Sequence, residues 1–341
     1  MSRSSRHLIV CAWALMLCGR VLALEAGWRT ITIDGVAADG PAATVALYYP
    51  TQAAPRSIAM GPYNLAVAIQ APPEPKFKAL IVLSHGTGGS ELAHSSLAQA
   101  LARSGYLVAA LRHPGDNWTD KSLMEKTPER YFAERPRQLS QVIDALLRDP
   151  QWKDHITSDT LGPRVGAVGH SAGGYSVLAL AGGQPDLARL VKHCASEAAG
   201  DPIFCATGRS SPPAGAASAA MPAAPDLSDR RVRAIVSMAP AAAVFSANSL
   251  AKITVPVLLY GAELDRWLVP RFHAEWVAAN VPGIEFRRVT NAWHFAFMDA
   301  PAMPIPTLDG DARADPPGFD RAAFLAQLAI DVPAFFDKVF R

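Results

Sequence analysis

Arg164-Val165-Gly166-Ala167-Val168-Gly169-His170-Ser171-Ala172-Gly173-Gly174 is the stretch on which the reading of this chain turns. Arg164–Val168 has the composition of a buried strand, and Ser171–Ala181 that of a helix. A serine between them, with glycine two residues before and two after, matches the pattern of a sharp strand-to-helix turn that lifts a hydroxyl into solvent. The glycines leave room where side chains would collide with the neighbouring strand and helix. The same pattern also serves a plain tight turn whose serine caps a helix, so the surrounding residues must decide.

Outward from this turn, apolar runs and helical spacings alternate. Ile31–Ile33, Ala43–Tyr49 and Leu65–Ile69 read as early strands with no helix between them, hence an antiparallel edge. Ala79–Leu83, Tyr106–Leu111, Val232–Met238, Val255–Tyr260 and Glu285–Val289 read as further strands. Helices are expected at Glu91–Ser104, at Tyr131–Leu147 with a kink or later start at Pro136, at Arg271–Ala279, and at Arg321–Val339 with an interruption at Pro333. This rhythm predicts a single α/β domain, a mostly parallel central sheet with helices on both faces. Residues 184–230 break the rhythm and are read as an insertion, or cap, with a flexible part from Ser210 to Pro225. In such sheets sites form at the carboxyl ends of strands.

A serine hydroxyl needs a base. Of nine histidines, His294 follows the last core strand by the short loop Thr290-Asn291-Ala292-Trp293 and is the candidate. Asp265 and Glu263, both in the loop after Val255–Tyr260, compete as the carboxylate that would orient it. The backbone N–H of Ala172 is one candidate donor to an oxyanion. The second is the N–H of Thr87, in the loop Ser84-His85-Gly86-Thr87-Gly88-Gly89, with the His85 side chain bracing that loop. The loop lacks the Lys-Ser/Thr ending of a phosphate-binding loop. His170 is expected to point away from the site, and His94, His113, His155, His193 and His273 to be ordinary structural or surface residues. Asp299 is expected to be structural. Met238-Ala239-Pro240, Trp267, Trp293 and Phe295 are candidates either for a pocket wall or for core packing.

The 341 residues carry 32 Lys plus Arg against 30 Asp plus Glu, with no basic block, which argues against nucleic acid or an anionic membrane as partner. Arg3 and Arg6 precede the apolar run Leu8–Leu17, and Val21 and Ala23 have the spacing of a signal-peptidase site. Residues 1–26 are therefore read as a secretory signal cut near Ala23 or Ala26, with an uncleaved anchor as the alternative. Its removal leaves Cys194 and Cys205, which in an exported chain point to a disulfide rather than to free thiols or a metal site.

Together, Ser84-His85-Gly86-Thr87-Gly88-Gly89, Gly169-His170-Ser171-Ala172-Gly173-Gly174, Gly261-Ala262-Glu263-Leu264-Asp265 and Ala292-Trp293-His294-Phe295 stand in an order that resembles the α/β-hydrolase superfamily. Within it, the set is similar to the dienelactone-hydrolase-like branch, near platelet-activating-factor acetylhydrolases and cutinase-like polyester hydrolases. The resemblance spans roughly Ala43 to Phe336. It implies an α/β-hydrolase domain over 27–341 and a triad of Ser171, Asp265 and His294, with Asp265 preferred over Glu263. It implies Thr87 and Ala172 as oxyanion donors. It also implies cleavage of a small-molecule or lipid-like carboxylic ester through an acyl-enzyme, with no metal or cofactor, while the small residues after Met238 and the aromatics Trp267, Trp293 and Phe295 point to short to medium acyl chains. A peptidase, an acyltransferase or a non-catalytic binding protein on the same fold are the other readings. Two departures stand out. Dienelactone hydrolases proper carry cysteine where this chain has Ser171, and the insertion 184–230 is absent from the compact cutinase-like pattern.

Overall fold

Leu80–Ser84, Leu107–Leu111 and Val165–His170 are buried along their whole length, which only strands covered on both faces can be. The computed structural model describes residues 23–36, 42–126, 130–207 and 226–341 and places them in a ten-stranded sheet. In chain order the strands are β1 (Glu25–Ile33), β2 (Ala43–Thr51), β3 (Arg56–Met60), β4 (Tyr63–Ile69), β5 (Leu80–Ser84), β6 (Leu107–Leu111), β7 (Val165–His170), β8 (Val232–Met238), β9 (Val257–Ala262) and β10 (Glu285–Val289). Their order across the sheet is β10-β9-β8-β7-β5-β6-β2-β1-β4-β3. The six strands from β10 to β6 are mutually parallel. β2 runs antiparallel to β6 and to β1, and β3 antiparallel to β4, so the expected antiparallel end is present. One pairing inside that end, β1 with β4, is parallel.

Alternation along each strand feeds two cores. Leu80 and Val82 face one core with the helices α2 (Tyr131–Arg148) and α3 (Ala172–Leu180). Ile81 and Leu83 face the other, with α1 (Ser95–Arg103) and the C-terminal helix Arg321–Val339. The predicted helix over Glu91–Ser104 begins only at Ser95, because 91–94 are turns. Pro136 sits inside α2 without ending it. It removes the amide that would bond the carbonyl of Phe132, and the Tyr175 hydroxyl donates to that oxygen instead, at 2.5 Å. Pro333 likewise lies within an uninterrupted helix. β3 has no buried residue and lies at the edge of the sheet, paired along its whole length with β4.

Within the insertion, α4 (Leu187–Glu197) and α5 (Pro202–Ala206) are joined by a Cys194–Cys205 disulfide, Cα atoms 5.4 Å apart. Residues 1–22, most of the expected signal, and the expected flexible part Ser210–Pro225 lie outside the described residues. Among the described residues no helix is long and apolar enough to cross a membrane. The remaining helix used below is α6 (Ala274–Asn280).

A Tyr175→Phe protein should lose about 1–3 kcal/mol, the cost of stranding the buried Phe132 carbonyl. Urea denaturation measures this, and an unchanged midpoint would mean that the carbonyl finds another donor.

Candidate active site

Ser171 has φ 59° and ψ −117°, a left-handed conformation rare for a residue with a side chain. The glycines around it have no space for more. A Cβ on Gly169 would lie 2.1 Å from the Gly173 carbonyl oxygen, and one on Gly173 would lie 2.0 Å from that of Ser84. Backbone bonds hold the turn. Ser171 N–H donates to Met238 O at 2.9 Å, and Ser171 O accepts from Tyr175 N and Ala241 N at 3.0 and 3.1 Å.

The structure brings Ser171, His294 and Asp265 into one line. His294 Nδ1 lies 2.8 Å from Asp265 Oδ2, and its Nε2 lies 2.9 Å from Ser171 Oγ. A carboxylate can only accept, so Nδ1 carries the hydrogen and Nε2 is left to accept from the serine hydroxyl. The second oxygen of Asp265 accepts from the backbone N–H of Trp267 and of Leu268, both at 2.8 Å. Asp265 and His294 are both buried. The Trp267 ring stacks on the imidazole at 5.9 Å, and its indole N–H donates to Asp309 Oδ1 at 2.5 Å. Glu263 is committed elsewhere, since its Oε2 accepts from Asn291 N–H at 2.9 Å and fastens the loop that precedes His294.

The loop after β5 runs beside Ser171, for a Cβ on Gly86 would lie 3.6 Å from Ser171 Oγ. Ala172 opens α3, where first-turn amides have no intrahelical carbonyl to reach. Beneath the loop lies a buried polar network. Asp116 accepts from Gly88 N–H at 2.8 Å, from the Tyr131 hydroxyl at 2.7 Å and from Arg135 at 2.5 Å. Arg135 also donates to the carbonyl of His85 and to Ser84 Oγ. Thr87 Oγ1 is hydrogen-bonded to Tyr131. His85 Nε2 accepts from His113 N–H at 3.2 Å, so its Nδ1–H donates to Gly86 O at 2.6 Å and the ring braces the loop as expected. No motif in the sequence marks Asp116, Tyr131 or Arg135. The nearest signal was the run His113-Pro114-Gly115-Asp116 at the carboxyl end of β6.

His170 does not point away from the site. Its Nε2–H donates to the carbonyl of His294 at 3.0 Å, and the two rings lie 4.9 Å apart. His94 packs edge-on against His170 and donates from Nδ1 to Phe297 O at 2.9 Å. Asp299 is structural, accepting from Ser95 Oγ and Ser96 N–H at 2.6 and 2.8 Å and so joining the His294 loop to α1.

A family model described as "Alpha/beta hydrolase family" matches residues 81–303. This chain belongs to the α/β-hydrolase family. Among solved structures it is similar to a ferulic acid esterase from Streptomyces cinnamoneus, with 21% identity over 94% of this chain and 91% of that one and a TM-score of 0.56. It is also similar to a dienelactone hydrolase from Anabaena variabilis, with 14% identity over 94% of this chain and all of that one (100%) and a TM-score of 0.49. No curated protein sequence matches it. The three aligned side chains follow β7, β9 and β10.

Burial, and then the Arg135 charge, pushes the His85 imidazole down to about 4. The same two causes hold His113 well below the ordinary histidine value. Burial, and next the neighbouring His294, does so for His170. Burial also lowers His94. Below the free-histidine value of about 6.5 the unfolded chain takes protons that these folded imidazoles refuse, so stability falls as pH falls. The melting temperature should therefore drop steadily from about pH 6.5 towards about 4. Calorimetry across that range checks this, and a flat profile would mean that the four rings accept protons in the folded state.

Proposed function

We propose that this α/β-hydrolase is an exported serine esterase that cleaves small-molecule or lipid-like carboxylic esters through an acyl-enzyme. The observation that carries the reading is the unbroken hydrogen-bonded line Asp265–His294–Ser171, ending on a strained serine at the head of a helix. Ser171 Oγ attacks the ester carbonyl while His294 Nε2 takes its proton. Asp265 holds the imidazole and stabilises its charged form. The carbonyl oxygen becomes negative and receives the N–H groups of Ala172 and Thr87. His294 then gives the proton to the departing alcohol. Water repeats the sequence on the acyl group, leaving acid and free Ser171.

The apolar stretch Ala239–Val244 beside the nucleophile, with Trp267 and Phe295 against His294, fits an acyl group of short to medium length. Export is supported by residues 1–26 and by the Cys194–Cys205 disulfide, a bond that persists in oxidising compartments. Because β1 pairs from Glu25 with Thr51, cleavage after Ala23 would leave that strand whole, and cleavage after Ala26 would shorten it.

The native chain should hydrolyse p-nitrophenyl esters in a series from acetate to palmitate, and Ser171→Ala should lower kcat by at least about a thousandfold. No turnover on any ester, or equal turnover by both proteins, would sink the proposal. Asp309→Ala frees the indole that stacks on His294, and should lower kcat about fivefold with KM little changed, the equivalent of about 1 kcal/mol. Steady-state kinetics on the best ester reads this, and an unchanged kcat would show that Trp267 holds the ring without Asp309.

A further inference from the structure

A second buried carboxylate–imidazole pair lies outside the line just described. Asp201, in the insertion, has no exposed surface. Its Oδ2 accepts from His193 Nε2 at 2.9 Å and from His273 Nε2 at 2.8 Å, and its Oδ1 lies 3.4 Å from the backbone N–H of Val269. His273, also fully buried, accepts at Nδ1 from the backbone N–H of Ala242 at 2.9 Å. That acceptance fixes the tautomer, so Nε2 carries the hydrogen given to Asp201.

Both ends of this chain of bonds reach the site. Ala242 follows Ala241, whose N–H bonds Ser171 O at 3.1 Å. The stretch containing it opens at Ala239, with φ 40°, and packs through Pro240 against Gly174 of α3. Val269 closes the loop that begins at Asp265 and carries Trp267. The insertion holds the same stretch a second time, since Asp186 N–H donates to Val244 O at 2.9 Å. The disulfide encloses Asp201, because Cys194 and Cys205 flank it on α4 and α5. His193 and the two sulfurs lie within 4.8 Å of one another, a spacing that could hold a metal ion. Here the sulfurs are bonded to each other and the imidazole to Asp201.

We infer that Asp201 is a positioning residue for the acyl side of the site, acting through His273 on the Ala239–Val244 stretch. This rests on the esterase reading above. Apolar contact would hold the insertion in place without fixing its register. A buried carboxylate with three converging donors is costly unless each is in place, and it tolerates little displacement. The pair therefore sets where the wall beside Ser171 stands, and so which acyl chains fit.

The test is the p-nitrophenyl ester series on the full mature chain and on Asp201→Ala, His273→Ala, the double variant and His193→Ala. Asp201→Ala and His273→Ala should each lower kcat on the best ester between about tenfold and a hundredfold. They should shift the preferred chain length and leave KM for the acetate ester unchanged. The double variant should be no worse than either single one, because the two residues act as a unit. His193→Ala, which removes one of the three donors to Asp201 but leaves the bond from His273 to Ala242, should shift the profile in the same direction by less. If Asp201→Ala does not fold, Asp201→Asn, which retains an acceptor for His273, should shift the profile in the same direction by less. A native chain that turns over esters, with Asp201 variants of unchanged profile, overturns this inference alone. A native chain with no turnover overturns the esterase reading first.

Discussion

The approach of Gly173 to the carbonyl of Ser84 is the constraint from which the site is built. It lets α3 start directly at the end of β7, and it forces Ser171 into a positive φ at the junction. Such a conformation costs about 1–3 kcal/mol and survives only where its surroundings over-determine it. Here they do: Met238, Ala241 and Tyr175 each bond the Ser171 backbone, and they come from β8, the stretch after it and α3. The strain is thus held jointly by the sheet, the stretch after β8 and α3.

The loop opposite the serine is held differently, by charge. Arg135 and Asp116 are both fully buried, and an isolated pair of this kind can cost more in desolvation than it returns. This pair is not isolated. Asp116 also takes Gly88 N–H and the Tyr131 hydroxyl, and Arg135 also gives to Ser84 and His85. The network fastens the backbone of the loop from below and leaves its upper edge to face Ser171. His85 and His113 lie within it, and the Arg135 charge that fastens the loop is also, after burial, what lowers both imidazoles.

The central strands could be read in the sequence because burial on both faces demands runs without a polar residue, as in Leu80 to Leu83 and Val165 to Val168. The serine turn could be read because only glycine fits at 169 and 173. Other features depend on partners distant in the chain. β3 is an exposed edge that exists only by pairing with β4. Pro136 breaks no helix because Tyr175, on another helix, supplies the missing donor. Glu263 and Asp265 could not be separated by spacing; they differ because one carboxylate meets Asn291 and the other His294. His170 is next to the serine in sequence, yet its bond is to the carbonyl of His294, 124 residues later.

The two sides of the site are consequently anchored to different parts of the molecule. On the His294 side, His170 holds the His294 carbonyl, His94 holds that of Phe297, and Asp299 is bound by Ser95 and Ser96 at the start of α1. Each of these partners belongs to the elements that make the sheet and its covering layer. On the other side, the stretch after β8 is bound by Asp186 and, through His273, by Asp201, and both acidic residues belong to the insertion. Asp201 also reaches the loop that carries Asp265 and Trp267, its Oδ1 lying 3.4 Å from Val269 N–H, so the insertion touches the stretch after β8 directly and the His294 side only through that loop. On the esterase reading proposed above, the insertion would then bear mainly on the selection of the acyl group, and the sheet with its covering layer on the geometry of proton transfer.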